Sequence, residues 1–224
     1  MAWTCNNLTS GDAQRALKHL LHAPGCLTPS GRVARYGADV RAGEILVAVE
    51  ARLRREQGQS ETIYRREWSI GVGATRIDIA AINGVITGCE IKSARDNFGR
   101  LESQVRLYSA VLDTAILVVE GEAATERAAG LIPGWWGIWC AGAQDHGAVL
   151  RVLREPSPNP APDALSIAQL LWRDEAYQVL DGHGLSAGLR RATRWRLWQA
   201  LADELPLEVL KGNVRETIKA RPDW

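Results

Sequence analysis

The apolar positions change period twice along this chain. Between residues 38 and 57, Val40, Val47 and Ala51 recur on one side of a helical projection, and Ile45, Val49 and Leu53 on another. That recurrence predicts a helix, and Gly58 stops it. From Thr62 the period shortens towards two. Thr62–Ile70, Arg76–Ile82 and Val85–Lys92 are predicted as three strands. Gly71-Val72-Gly73 marks a loop, and Asn83-Gly84 marks a hairpin turn. Residues 98–112 return to helix, with Leu101, Val105, Tyr108 and Leu112 as a stripe. Ala115–Val119 is predicted as a buried strand. Trp136–Ala141 and Val149–Leu153 are predicted as a further pair.

This order, α-β-β-β-α-β, implies an α/β fold with a mixed sheet flanked by helices. The flanks divide the chain further. Residues 1–35 are expected to form an extension, with a helix over Ala13–His22 closed by Pro24-Gly25. Residues 36–155 form the expected core. Residues 156–163, rich in proline, are predicted as a linker. Residues 164–224 are predicted to be helical, over Ile167–Leu180, Leu185–Leu205 and Leu207–Ala220.

Composition adds limits. In 224 residues, 46% are hydrophobic and 24% charged, enough for a real core and too ordered a balance for a disordered chain. The net charge of +1 gives no overall basic field, so any nucleic-acid surface has to be local. Only Lys18, Lys92, Lys211 and Lys219 are lysines; the other basic residues are arginines. Cys5, Cys26, Cys89 and Cys140 are far apart and form no C-x-x-C pair, which predicts reduced thiols and a cytoplasmic setting. No apolar run approaches the ~20 residues that span a bilayer, so no membrane is expected.

Chemistry concentrates between Arg76 and Tyr108. Alternation places Glu90 and Lys92 on one face of their strand, with Cys89 and Ile91 on the other. Pairing about Asn83-Gly84 brings Asp78 near Glu90 across the hairpin. Two adjacent carboxylates repel and raise each other's pKa. A divalent cation removes that penalty and prefers oxygen ligands. An ammonium beside them, Lys92, can orient a water and offset charge growing on a phosphate. Gln104 and Tyr108, four apart, stack on one helix face. A cross-strand ion pair on a solvated face would use the same three charges, but strands otherwise this apolar give them no evident reason.

Asp78, Glu90-Ile91-Lys92 and Gln104-x-x-x-Tyr108, in this order of elements, resemble the PD-(D/E)XK nuclease superfamily of restriction-endonuclease-like fold. The resemblance spans roughly residues 38–120. The flanks, Lys92-Ser-Ala-Arg-Asp96, Pro133-Gly-Trp-Trp-Gly137 and Leu170-Leu-Trp-Arg-Asp-Glu175, are similar to a family of small bacterial and phage proteins within it. The resemblance implies a metal-dependent nuclease acting on DNA. Asp78 and Glu90 would ligate Mg²⁺ (or Mn²⁺), with the Ile91 carbonyl assisting. Lys92 would be the catalytic lysine, Gln104 would support the site, and Tyr108 would stand behind it. Ile77 replaces the proline of the superfamily's motif. A first-helix glutamate is also implied. Glu44 is favoured over Glu50, and Glu67 on the first strand is a third candidate. The alternative is a non-catalytic nucleic-acid-binding or assembly module that keeps the fold.

Outside this stretch, Arg190, Arg191, Arg194 and Arg196 form a basic cluster interleaved with Trp195, near Trp198. Arginine can contact phosphate and tryptophan can stack on bases, so the cluster is a candidate nucleic-acid surface. A charged outer helix face, balanced by Asp203 and Glu204, is the plainer account. DNA is the partner expected first, and a homodimer is an allowed assembly. His19, His22 and Cys26 supply three ligands, short of a structural zinc site. The chain has no phosphate-binding glycine loop and no G-x-S-x-G elbow.

Overall fold

A computed structural model describes residues 40–57, 61–144 and 147–222. The predicted N-terminal extension, with His19, His22 and Cys26, lies outside the described residues.

The first described element is α1 (Ala42–Gln57). Ile45, Val49 and Leu53 recur every four residues and form its buried face. Three strands follow: β1 (Ile63–Ile70), β2 (Thr75–Ile82) and β3 (Ile86–Lys92). Next come α2 (Leu101–Val111), β4 (Thr114–Glu120), α3 (Glu122–Ala129), β5 (Gly137–Gln144) and β6 (Gly147–Arg154). The C-terminal part holds α4 (Ala164–Ala168), α5 (Arg173–Gly182), α6 (Arg194–Glu204) and α7 (Leu207–Lys219).

The six strands form one sheet in sequential order, β1 to β6. β1–β2, β2–β3 and β5–β6 are antiparallel, while β3–β4 and β4–β5 are parallel. The protein is therefore mixed α/β. The central strands are buried on both faces, which explains their continuous apolar runs. On one face, Ile79, Ala81, Cys89, Ile116, Val118 and Trp139 pack beneath α1. On the other, Ala80, Leu117, Val119 and Cys140 share a cluster with Tyr108 of α2 and the C-terminal helices. Cys89 and Cys140 are free thiols, both buried.

The hairpin expected at Asn83-Gly84 is present, with a three-residue loop. Ile82 pairs with Ile86, and Asn83 closes the three-residue loop by accepting from Val85 N through Oδ1 at 2.9 Å. Residues 156–163, expected as a linker, carry no helix or strand and are tied down by hydrogen bonds. Ser157 N donates to Trp135 O, and Asp163 N to Ala110 O, each at 2.9 Å. The Asn159 side chain donates to Ser109 O and Leu112 O at 2.7 and 2.8 Å. The segment is thus bonded to α2 and its C-terminal end, and the helices that follow complete the same apolar cluster.

The C-terminal helices also differ in extent. The stretch Ile167–Leu180 is broken between α4 and α5. Glu175 accepts from Trp172 N at 2.7 Å, fixing the start of α5. In Leu185–Leu205 only residues 194–204 are helical, with Thr193 as N-cap. No helix among the described residues is long and apolar enough to cross a membrane.

Candidate active site

β2 and β3 stay paired from Ile82–Ile86 to Ile79–Cys89, and then part. The next opposed positions are Asp78 and Glu90, whose side chains leave the sheet on the α2 side. Asp78 compensates for the lost ladder by accepting from Ile91 N through Oδ2 at 2.6 Å. This hydrogen bond requires an oxygen at position 78, and it fixes the carboxyl beside Glu90.

Glu90 is 3% exposed and Lys92 6%. Burial at this level requires partners, and each has them. Lys92 Nζ donates to Glu90 Oε1 at 2.7 Å and to Gln104 Oε1 at 2.9 Å. Gln104 Nε2 donates to the same Glu90 oxygen at 2.6 Å. One helical turn later, the Tyr108 hydroxyl reaches Glu90 Oε2 and Arg76 O at 2.6 Å. It has one proton for two acceptors. Tyr108 is fully buried and stacks on Trp136, with centroids 5.8 Å apart. Burial, reinforced by Glu90, pushes its hydroxyl pKa far above the ordinary range.

Asp78 is only half-enclosed, on the open side of this network. Burial and then the Glu90 charge push its pKa up to about 7, against the opposing pull of the Ile91 N–H and Lys92. The carboxyl is therefore short of positive charge. It opens on a cleft of about 450 Å³, lined also by Glu67, Arg76, Asp96, Arg100 and Ser103.

The structure thus brings Asp78, Glu90, Ile91, Lys92, Gln104 and Tyr108 together. It does not bring Glu44 to them. α1 packs on the opposite face of the sheet, where the exposed Glu44 carboxylate accepts from Arg41 N at 3.0 Å. Position 44 is the third residue of the helix, placed to satisfy a free N–H at its start. Glu50 is taken by Arg54 and Arg66, at 2.6 and 2.5 Å. Burial alone would raise its pKa, but the two guanidiniums outweigh it and hold the carboxyl below its usual range.

Glu67 is a further acid at the cleft. It follows Arg66, paired with Ile79, and precedes Trp68, paired with Ile77, so it lies opposite Asp78. Its φ of +50° breaks the ladder there. Arg76 Nε lies 3.4 Å from its carboxylate. Arg76 and Arg100 are cleft residues that the sequence did not single out, because an exposed arginine near a turn carries no periodic signal.

The donor set suits a hard divalent cation. Asp78 Oδ1 has no hydrogen-bond donor among the described residues, Glu90 Oε2 has one, and all the acceptors are oxygens. No group of three or more His, Cys, Asp or Glu with metal-holding geometry occurs among the described residues. Mg²⁺ does not require one, since it is commonly bound through one or two carboxylates, with waters and substrate phosphates completing the shell.

The basic cluster lies elsewhere. Arg190, Arg191, Arg194 and Arg196 are exposed, before and within the first turn of α6, and none lines the cleft.

Fold and site together define a mixed α/β protein with a buried acid–lysine–amide network at the open end of a parted hairpin. Residues 41–223 match the family described as bacteriophage P4 protein cII. The match covers most of the chain, which belongs to that family. Neither the curated proteins nor the solved structures contain a match to it.

Proposed function

We propose that this protein is a divalent-cation-dependent nuclease of restriction-endonuclease-like fold, hydrolysing phosphodiester bonds in DNA. The observation that carries this reading is the position of Lys92. Its ammonium is buried, held by Glu90 and Gln104, and lies beside the undercompensated Asp78 at the cleft. Gln104 bonds both partners of the pair, fixing the ammonium at the edge of the cleft.

Asp78 and Glu90, with the Ile91 carbonyl, are the residues that would hold Mg²⁺ or Mn²⁺. When bound, the cation supplies charge to the phosphoryl oxygen and acidifies water. The rest is the work of the chain. Lys92 has three N–H donors and commits two, leaving one for a water or a phosphate oxygen at the cleft. Gln104 fixes the ammonium's position. Tyr108 holds Glu90 in place from behind. Arg100, exposed at the cleft's edge, is placed to meet a flanking phosphate.

One observation favours a second reading, a non-catalytic nucleic-acid-binding or assembly module. Both Glu90 oxygens already have protein donors, so the network is self-satisfied without a cation. The two readings part in one experiment. The protein is incubated with labelled single-stranded, duplex and branched DNA, and with RNA, in Mg²⁺, Mn²⁺ or EDTA. Cation-dependent cleavage supports the nuclease. Retention of the nucleic acid without cleavage in either cation supports the module.

A further inference from the structure

Two tryptophans on the C-terminal helices are more than half exposed: Trp172 at 59% and Trp195 at 53%. Neither hangs loose. Trp172 starts α5, and its N–H is held by Glu175 at 2.7 Å. Glu175 also takes Arg221 in two hydrogen bonds of 2.7 Å each. Arg221 is 7% exposed, and its guanidinium lies 4.4 Å from the Trp172 ring centroid. One face of the indole therefore rests on a fixed cation.

Trp195 repeats the arrangement. It meets Trp198 edge to face, with centroids 5.0 Å apart, and Arg194 lies 5.6 Å from its ring. Trp198 is buried and donates from Nε1 to Leu171 O, beside Trp172, at 3.0 Å. Arg173, beside Trp172 on the other side, donates to Arg190 O at 2.6 Å. These bonds tie the start of α5 to α6 and to the segment that precedes it. Of the arginines around them, Arg173 pairs with Asp174 and Arg221 with Glu175, and the rest are uncompensated. Among the described residues, no carboxylate pairs with the side chains of Arg190, Arg191, Arg194 or Arg196, while Asp203 and Glu204 lie at the far end of α6.

We infer that this face binds single-stranded nucleic acid, with unpaired bases stacking on Trp172 and Trp195 and arginines contacting the phosphates between them. Each feature narrows the occupant. Free guanidiniums favour a polyanion over a neutral protein surface. Exposed indoles held rigid by their backs cost little ordering on binding. Their rings are of use only to bases outside a duplex stack. This goes beyond the proposed hydrolysis and does not depend on it, because no residue of the face lines the cleft.

The test measures fluorescence anisotropy of a labelled oligothymidylate and of a hairpin duplex of matching length, in EDTA. Without a divalent cation the cleft is silent, so failure of the nuclease reading leaves this result standing, and the reverse. The expected result is tighter binding of the single strand. Trp195→Ala and Trp172→Ala should each weaken it about tenfold, and Trp195→Phe no more than about threefold. Replacing Arg190 and Arg191 with alanine should reduce the slope of log K against log salt by about 1 to 1.5. Circular dichroism and melting verify that each variant is folded. Equal affinity for the duplex, or unchanged binding by folded Trp195→Ala, overturns the inference. So does a wild-type dimer that Trp195→Ala dissociates in sedimentation without any oligonucleotide binding, which would assign the face to a second copy.

Discussion

Glu90 illustrates what one buried carboxylate demands of its neighbours. Lys92 and Gln104 take one oxygen and Tyr108 the other. Removing only the Tyr108 hydroxyl keeps the ring packed on Trp136 but strips the one proton within reach of both Glu90 and Arg76 O. Tyr108→Phe should therefore destabilise the protein by about 1–2 kcal/mol. A fall in Tm of roughly 3–6 °C measures it; an unchanged Tm would mean the hydroxyl carries no weight. Asp78 gives a prediction of the opposite character. Its pKa is about 7 when folded, against an ordinary 3.8. Between these values the folded protein holds a proton that the unfolded chain releases. This group's contribution therefore falls as pH rises from about 4 to about 7, and is level on either side. Asp78→Asn should flatten that part of the profile of Tm against pH, by an amount worth a few kcal/mol. Added Mg²⁺ should raise the wild-type Tm at pH 8 and leave the variant's nearly still. Parallel profiles for the two proteins would remove Asp78 from the centre of the site.

Strands and helices differ in how openly the sequence declares them. β1 to β4 follow their predicted limits within a residue or so; in β2 to β4 the buried faces demand largely apolar runs between turn residues. α3 went unseen. Its buried positions are Ala124, Thr125 and Ala128, too small to make an apolar stripe. The break before α5 was hidden because Leu170 and Leu171 carry apolar positions straight through it without glycine or proline. Within the site, Glu90 and Lys92 were legible from alternation, Asp78 from pairing about the hairpin, and Gln104 from helical spacing. Glu44 was a poorer choice. Which face of the sheet a helix covers is a tertiary fact, and α1 covers the one away from the cleft. Glu67 was ranked below both helix glutamates, because its left-handed backbone breaks the alternation that would have aimed it. The close approach of α2 to the sheet has its own signature at Gly88. A Cβ there would lie 2.5 Å from Leu112 Cδ1 and 3.3 Å from Ile77 Cγ2, and Leu112 is fully buried. Gly88→Ala should cost about 1–3 kcal/mol in urea unfolding. A neutral result would show that Leu112 can turn aside.

Contacts between segments far apart in sequence hold the described residues together. Asp113, between α2 and β4, accepts from Ile86 N at 2.7 Å and binds Lys211 at 2.8 Å and Arg215 at 3.3 Å. Three distant segments therefore meet at one carboxylate. Asp113→Ala would leave a buried N–H and two cations without it, and should lower stability by about 2–4 kcal/mol. Urea midpoints measure this, and a loss under about 0.5 kcal/mol would mean that apolar packing alone docks α7. Glu120 ties the opposite end of the sheet. Its two oxygens accept from Val40 N at 2.8 Å and Ala94 N at 3.0 Å, anchoring the entry to α1 and the loop that leaves Lys92. The cleft is thus framed by anchored backbone, which the proposed hydrolysis would require. The decisive measurement is the single-turnover rate of DNA cleavage in Mg²⁺ by the wild type, Asp78→Asn and Lys92→Met, each verified as folded. The account predicts cleavage by the wild type that EDTA abolishes, and rates in both variants lower by about 100-fold or more. A folded wild type that cleaves no DNA in Mg²⁺ or Mn²⁺, or a Lys92→Met protein that cleaves at the wild-type rate, would contradict it.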